Sequence, residues 1–166
     1  MGHIIDGIKD AVNLLLSFDK EIYGIIGLSI YVSLTSTLVS GIIAIPTGIM
    51  LGIKSFPGKK AVVRVLYTMM SLPPVIVGLV VFLFISRNGP LGDLRIVYTP
   101  TAIIVAQVFL VTPIIMGYVY SGARERGEEI QDLAYTLGAS RGQALILLIR
   151  ELRINIFSAI VTGYGR

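Results

Sequence analysis

Cysteine is absent from this sequence of 166 residues, and His3 is its only histidine. Without thiols there is no disulfide and no thiolate metal site. One histidine near the terminus leaves no ligand set for a haem or zinc centre. Charge is scarce as well: 14% of the residues are Asp, Glu, Lys or Arg, against roughly 25% in soluble domains. No nucleophile–base pair, metal cluster or phosphate-binding loop appears, so the chain is not expected to be an enzyme or to bind a cofactor itself. The net charge of +4 marks the sides on which loops lie and does not point to nucleic acid.

The charges that exist are clustered. Ile22 to Ile53, Val65 to Ser86 and Ile96 to Ala123 contain no Asp, Glu, Lys, Arg or His. A spanning helix needs about 20 residues, and a charge at its centre costs roughly 2.5–3.5 kcal/mol. The mean hydropathy of +0.82 agrees. The pattern predicts an all-α membrane protein, a polytopic helical bundle with three complete transmembrane helices over about 25–53, 65–86 and 97–123. A further apolar run, Ile154 to Gly165, would cover about 18 Å, short of a bilayer core of about 30 Å. It is therefore expected to be the start of a fourth span, 154–166, in a chain that is a fragment. Proton-coupled carriers bury ionisable groups in their spans. The three charge-free runs hold none, so the driving force is expected from outside the membrane.

Residues 1–21 carry Asp6, Lys9, Asp10, Asp19, Lys20 and Glu21, which interrupt any signal-peptide core. Ile4, Ile8, Val12 and Leu15 share a helical face, consistent with a short external interfacial helix or with a frayed terminus. Lys54, Lys59, Lys60 and Arg64 form a loop with no acid, and Arg124, Arg126, Arg141, Arg150 and Arg153 follow the third span. The positive-inside rule puts the 54–64 loop and the 124–153 segment in the cytoplasm, with the N-terminus and Arg87–Arg95 outside.

The cytoplasmic segment has its own pattern. Ile130, Leu133, Ala134 and Leu137 repeat at helical spacing, with Glu128, Glu129 and Asp132 in the first turns, where acids suit the dipole. Gly138 is placed to end that helix in a left-handed conformation, and Ser140 with Gln143 forms a capping box for the next. The expectation is a helix of about ten residues, a glycine turn and a second helix. A helix that short is marginal alone in water, so its apolar face must pack on lipid, on its own bundle or on a partner.

Asp132-Leu133-Ala134, three residues, then Gly138 resembles the coupling motif of ABC importer permeases, which reads E-A-A, three residues, Gly, nine residues, I-x-L-P. The later half departs, because Leu148-Ile149-Arg150-Glu151 lacks the proline, and the second helix is expected to run on. Ser71-Leu72-Pro73-Pro74-Val75-Ile76-Val77-Gly78-Leu79 is similar to a signature of the molybdate/sulfate/tungstate permease group. Arg87-Asn88-Gly89-Pro90-Leu91-Gly92, Thr99-Pro100-Thr101-Ala102, Ala106-Gln107 and Thr112-Pro113-Ile114 follow as in the tungstate-type members. The resemblance covers about residues 20–166, so that 22–166 would be a partial ABC transporter transmembrane domain.

The resemblance implies a permease subunit of an ATP-driven oxyanion importer, tungstate before molybdate or sulfate. Its implied partners are a separate ATP-binding subunit holding ATP and Mg, an extracytoplasmic oxyanion-binding protein, and a second permease copy in a homodimer within the bilayer. Carried onto this chain, Asp132, Leu133, Ala134, Leu137 and Gly138 would dock the ATPase, with Ala134 and Gly138 allowing close approach. A non-transporting membrane anchor or remnant remains the alternative.

Pro73 and Pro74 are expected to kink or unwind the second span, and a broken helix at that depth faces protein or a water-filled cavity. The break is a candidate for the oxyanion path or its gate, or else a packing kink. Gln107 and Thr112 in the third span are candidates for the path or for helix–helix contact. Gly48 and Gly52 form a G-x-x-x-G that could pack within the subunit or between copies. Ser29, Ser33, Thr35, Ser36, Thr37 and Ser40 are expected to bond back to their own helix.

Overall fold

The computed structural model describes Ser17 and residues 19–165. The interfacial helix expected around Ile4, Ile8, Val12 and Leu15 lies outside the described residues. Six helices follow in order: α1 Lys20–Ile53, α2 Lys59–Met70, α3 Pro74–Ile85, α4 Pro100–Thr136, α5 Arg141–Glu151 and α6 Arg153–Tyr164, with a single 3₁₀ turn at Gly92–Leu94. There is no strand among the described residues.

α1 starts where Asp19 caps it, its Oδ1 accepting the backbone N–H of Glu21 at 2.9 Å and of Ile22 at 3.2 Å. It ends at Ile53, where the Lys59 ammonium donates to the carbonyls of Gly52 at 3.0 Å and Lys54 at 2.8 Å. A cation on the last free carbonyls of a helix complements the dipole. α2 therefore begins inside the stretch read as a loop, at Lys59, behind a left-handed Gly58 with φ of 87°.

α1 and α4 are long and apolar enough to cross a membrane, with mean hydropathies of 1.8 and 2.2 over an 18-residue stretch of each. The single span expected over 65–86 is two helices of 12 residues each, α2 and α3, bent by 100° at the break between them. Only as a pair do they meet the requirement for a span. The prolines explain the break. Pro74 disfavours helical backbone at the residue before it, and Pro73 is extended, with φ of −61° and ψ of 137°.

The register between α1 and α4 gives their direction. Ser36 meets Gln107, Ser40 meets Val108, Gly48 lies against Met116 and Val119, and Gly52 against Ala123. Numbers rise together, so the two helices run parallel and end on the same side. Parallel neighbours need a returning connection, and α2 and α3 supply it. α6 runs antiparallel to α4, with Asn155 at Gly122 and Gly163 against Val111 and Ile115. α4 is thus the central helix, and the main core joins Ala44, Val111, Ile115, Val119, Leu148 and Ala159 around it.

The G-x-x-x-G is used inside the chain. A Cβ on Gly48 would lie 2.9 Å from the Met116 carbonyl oxygen, and one on Gly52 would lie 2.5 Å from Ala123 Cβ. Small residues let two backbones approach, which is how helices associate where lipid provides no hydrophobic drive. The outer side of α1 keeps Ile25, Leu28, Tyr31, Leu34, Leu38 and Ile42 exposed. That surface suits hydrocarbon and not water.

Candidate functional site

α4 carries the polar segment. Its 37 residues reach about 55 Å, well beyond a hydrocarbon core of about 30 Å. The surplus is the charged stretch from Arg124. The expected ten-residue coupling helix is corrected here: it is the last part of α4, continuous with the third span. Nothing between Ala123 and Glu128 breaks the helix, since Gly127 is buried, where a Cβ would lie 2.8 Å from Ile53 Cγ2.

The helix ends in a Schellman motif. Ala139 N–H donates to the Ala134 carbonyl at 2.9 Å and Gly138 N–H to the Tyr135 carbonyl at 3.0 Å, with Gly138 at φ of 80°. The capping box follows: Ser140 N–H donates to Gln143 Oε1 at 2.8 Å, and Gln143 N–H to Ser140 Oγ at 3.4 Å. α5 then folds back on α4, placing Leu148 and Leu152 in the main core beside Ile130. α5 does not run on as expected. The chain turns at Leu152 without a proline, and that side chain is wholly buried.

This packing splits the apolar face read from the sequence. Ala134 is 2% exposed, whereas Leu133 is 57% and Leu137 77% exposed. Asp132 and Gly138 are exposed too. A Cβ on Gly138 would meet nothing within 4 Å, so the glycine serves the left-handed turn and not close packing. Tyr135 on α4 and Leu145, Ile146 and Ile149 on α5 are also exposed. The sequence reading missed these four. Their signal was the apolar i, i+1, i+4 spacing on α5 and an aromatic within the three-residue spacer. Leu133, Tyr135 and Leu137 thus lie exposed just before the Gly138 turn, and Leu145, Ile146 and Ile149 lie exposed along α5 after it.

The pathway candidates do not gather in one place. Pro73 and Pro74 are exposed at the bend. Beside them a cavity of about 320 Å³ is lined by Leu72, Ile76, Val77, Val80, Val105 and Phe109. It is apolar. Gln107 sits elsewhere on α4, its Oε1 accepting from Ser36 Oγ of α1 at 2.6 Å. Thr112 Oγ1 is buried with no hydrogen-bond partner, as is Thr37 Oγ1. Of the hydroxyls expected to bond back, Ser36 reaches the Val32 carbonyl at 2.7 Å. Ser40 instead reaches across to the Val108 carbonyl at 3.5 Å.

The described residues form an apolar helical bundle whose central helix carries a charged extension ending in a turn with exposed leucines. The chain belongs to the family of binding-protein-dependent transport system inner membrane components, which it matches over residues 44–165. It is 47% identical to a tungstate uptake system permease protein of Peptoclostridium acidaminophilum over all of its length and 73% of that relative's. A probable anion ABC transporter permease protein of Haloferax volcanii is 34% identical over 86% of this chain and 61% of its own length. A molybdate/tungstate transport system permease protein of Methanocaldococcus jannaschii is 26% identical over 89% of this chain and 61% of its own. Membership makes the chain a multi-pass membrane permease subunit of an ABC import system, and such subunits are not themselves enzymes.

Proposed function

We propose that the chain forms the membrane path of an ATP-driven oxyanion importer whose substrate is tungstate, and that the Gly138 turn is its contact with the ATP-binding subunit. The exposed Leu133 and Leu137 around a left-handed glycine turn carry this reading. Exposed leucines in an aqueous segment are costly unless a partner covers them. Nucleotide-driven closure of the partner would move the turn, and α4 would carry that motion into its contact with α1. In this mechanism two permease copies pair in the bilayer, an extracytoplasmic protein delivers the anion, and ATP with Mg stays on the partner. Hydrolysis returns the path to its inward-facing form.

The parallel course of α1 and α4 supports a common side for the 54–64 segment and the α4 extension. That side is the cytoplasm in our reading, with the N-terminus outside. Asp132, Leu133, Ala134, Leu137 and Gly138 keep their coupling role, Ala134 as the buried seat of the turn. Pro73 and Pro74 form the gate at the α2–α3 bend. Gln107 and Thr112 act in the α1–α4 contact that the gate moves against.

Co-purification tests the reading. The wild-type chain should retain an ATP-binding subunit with a P-loop, and Leu133→Glu with Leu137→Glu should release it while leaving the membrane bundle folded. An unchanged yield of ATPase would overturn the assigned contact. Uptake by the assembled complex, with molybdate and sulfate as competitors, separates tungstate from the two other oxyanions.

A further inference from the structure

At the end where α1 stops, a cleft of about 630 Å³ opens between the α1–α2 turn, α2 and α4. Lys59, Lys60, Arg64 and Arg124 line it together with Phe56 and Tyr120, and no carboxylate is among its lining residues. Lys59 is held in place by its bonds to the Gly52 and Lys54 carbonyls, which leaves one ammonium proton for a ligand. Lys59 and Arg124 also border a neighbouring cleft that contains Glu128 and Asp132.

The surroundings select the kind of anion. The cleft sits where the apolar run of α1 gives way to Lys54, the level at which a lipid headgroup would lie. Phe56 lines the rim of the recess and is exposed, which gives it an apolar flank. A cationic recess with an apolar flank matches a phosphate that carries acyl chains. A free anion would use the recess and leave the flank bare. α2 also opens at this cleft, and the positive end of its dipole adds to the attraction.

We propose that this cleft binds the phosphate of an acidic phospholipid of the adjoining leaflet, through Lys60, Arg64 and Arg124, with an acyl chain along Phe56. The site is independent of transport, so its test needs no assembled importer.

The purified chain is placed in nanodiscs of phosphatidylcholine with a minority of phosphatidylglycerol, and the lipids it retains are counted by native mass spectrometry. Wild type should retain phosphatidylglycerol in preference to phosphatidylcholine. Arg64→Gln with Arg124→Gln should retain about thirtyfold less, as expected for two cations near an anionic surface. Arg141→Gln with Arg150→Gln removes the same charge outside the cleft and should retain as much as wild type. An equal loss in both double variants would mean general attraction and would overturn the site. If the first pair does not fold, Lys60→Gln, on an exposed side chain, should still give a loss of about fivefold. In a second arm, inorganic phosphate is titrated onto the detergent-solubilised chain. Saturable binding that the same variants abolish, with no preference among lipids, would assign the cleft to a soluble anion and overturn the lipid.

Discussion

Ser36 Oγ lies 2.6 Å from Gln107 Oε1, joining the two longest helices through side chains. Ser36 also lies 2.7 Å from the Val32 carbonyl, and a hydroxyl has one proton to give. The serine therefore shares its proton between its own helix and α4. We expect Ser36→Ala and Gln107→Leu to couple by about 0.6 kcal/mol, and by no more than about 1.7 kcal/mol. A double-mutant cycle on unfolding in detergent measures this. Zero coupling would mean that Gln107 is not a clasp and would strengthen its candidacy for the path.

The approach of Gly52 to Ala123 makes a sharper prediction. Gly52→Ala puts a methyl 2.5 Å from Ala123 Cβ and 3.0 Å from its backbone carbon, and neither helix can yield without separating. A loss of about 1–3 kcal/mol is expected. Gly24→Ala lies in the same helix with nothing within 4 Å and should instead stabilise by up to about 1 kcal/mol. Thermal unfolding of the two variants should move in opposite directions.

Gly138 and Gly142 form a second pair of opposites. Both have open space around them, but only Gly138 has a positive φ, at 80°. Gly138→Ala should cost about 1–2 kcal/mol and weaken retention of the ATP-binding subunit. Gly138→Asn should be milder, because Asn tolerates the left-handed conformation. Gly142→Ala, inside α5, should be neutral or stabilising. If Gly138→Ala were as harmless as Gly142→Ala, the turn would not depend on its glycine.

The two prolines can be separated from mere packing by transport. With Pro73→Ala and Pro74→Ala, the 71–73 break regains its missing N–H donors, and α2 and α3 should straighten toward one helix. We expect uptake to be lost while the complex still assembles and unfolds at a similar temperature. Full uptake by a stable complex would reduce the bend to a packing kink.

Much of this structure was legible locally. The Schellman turn at Gly138, the Ser140–Gln143 box and the break at Pro73-Pro74 all rest on interactions within a few residues. Such interactions are written in the order of the residues. The long apolar helices α1 and α4 were legible for a related reason, since lipid excludes charge wherever the chain folds, whereas the run over 65–86 is divided between two bent helices.

Facing was not legible. Leu133 and Ala134 fall on one helical face by periodicity, yet one is exposed and the other buried. Spacing shows that a face is apolar and says nothing of what covers it. Inside the membrane the ambiguity is greater, because a side chain toward lipid is as apolar as one toward the bundle. The sequence alone determined which runs are apolar, where the Gly138 turn and the Pro73-Pro74 break fall, and which segments are basic. The tertiary structure decided that Gly48 and Gly52 pack on α4, that Gln107 answers Ser36, and that the charged segment from Arg124 continues the α4 helix. Those outcomes depend on close contact between residues far apart in the chain, which periodicity and hydropathy do not encode.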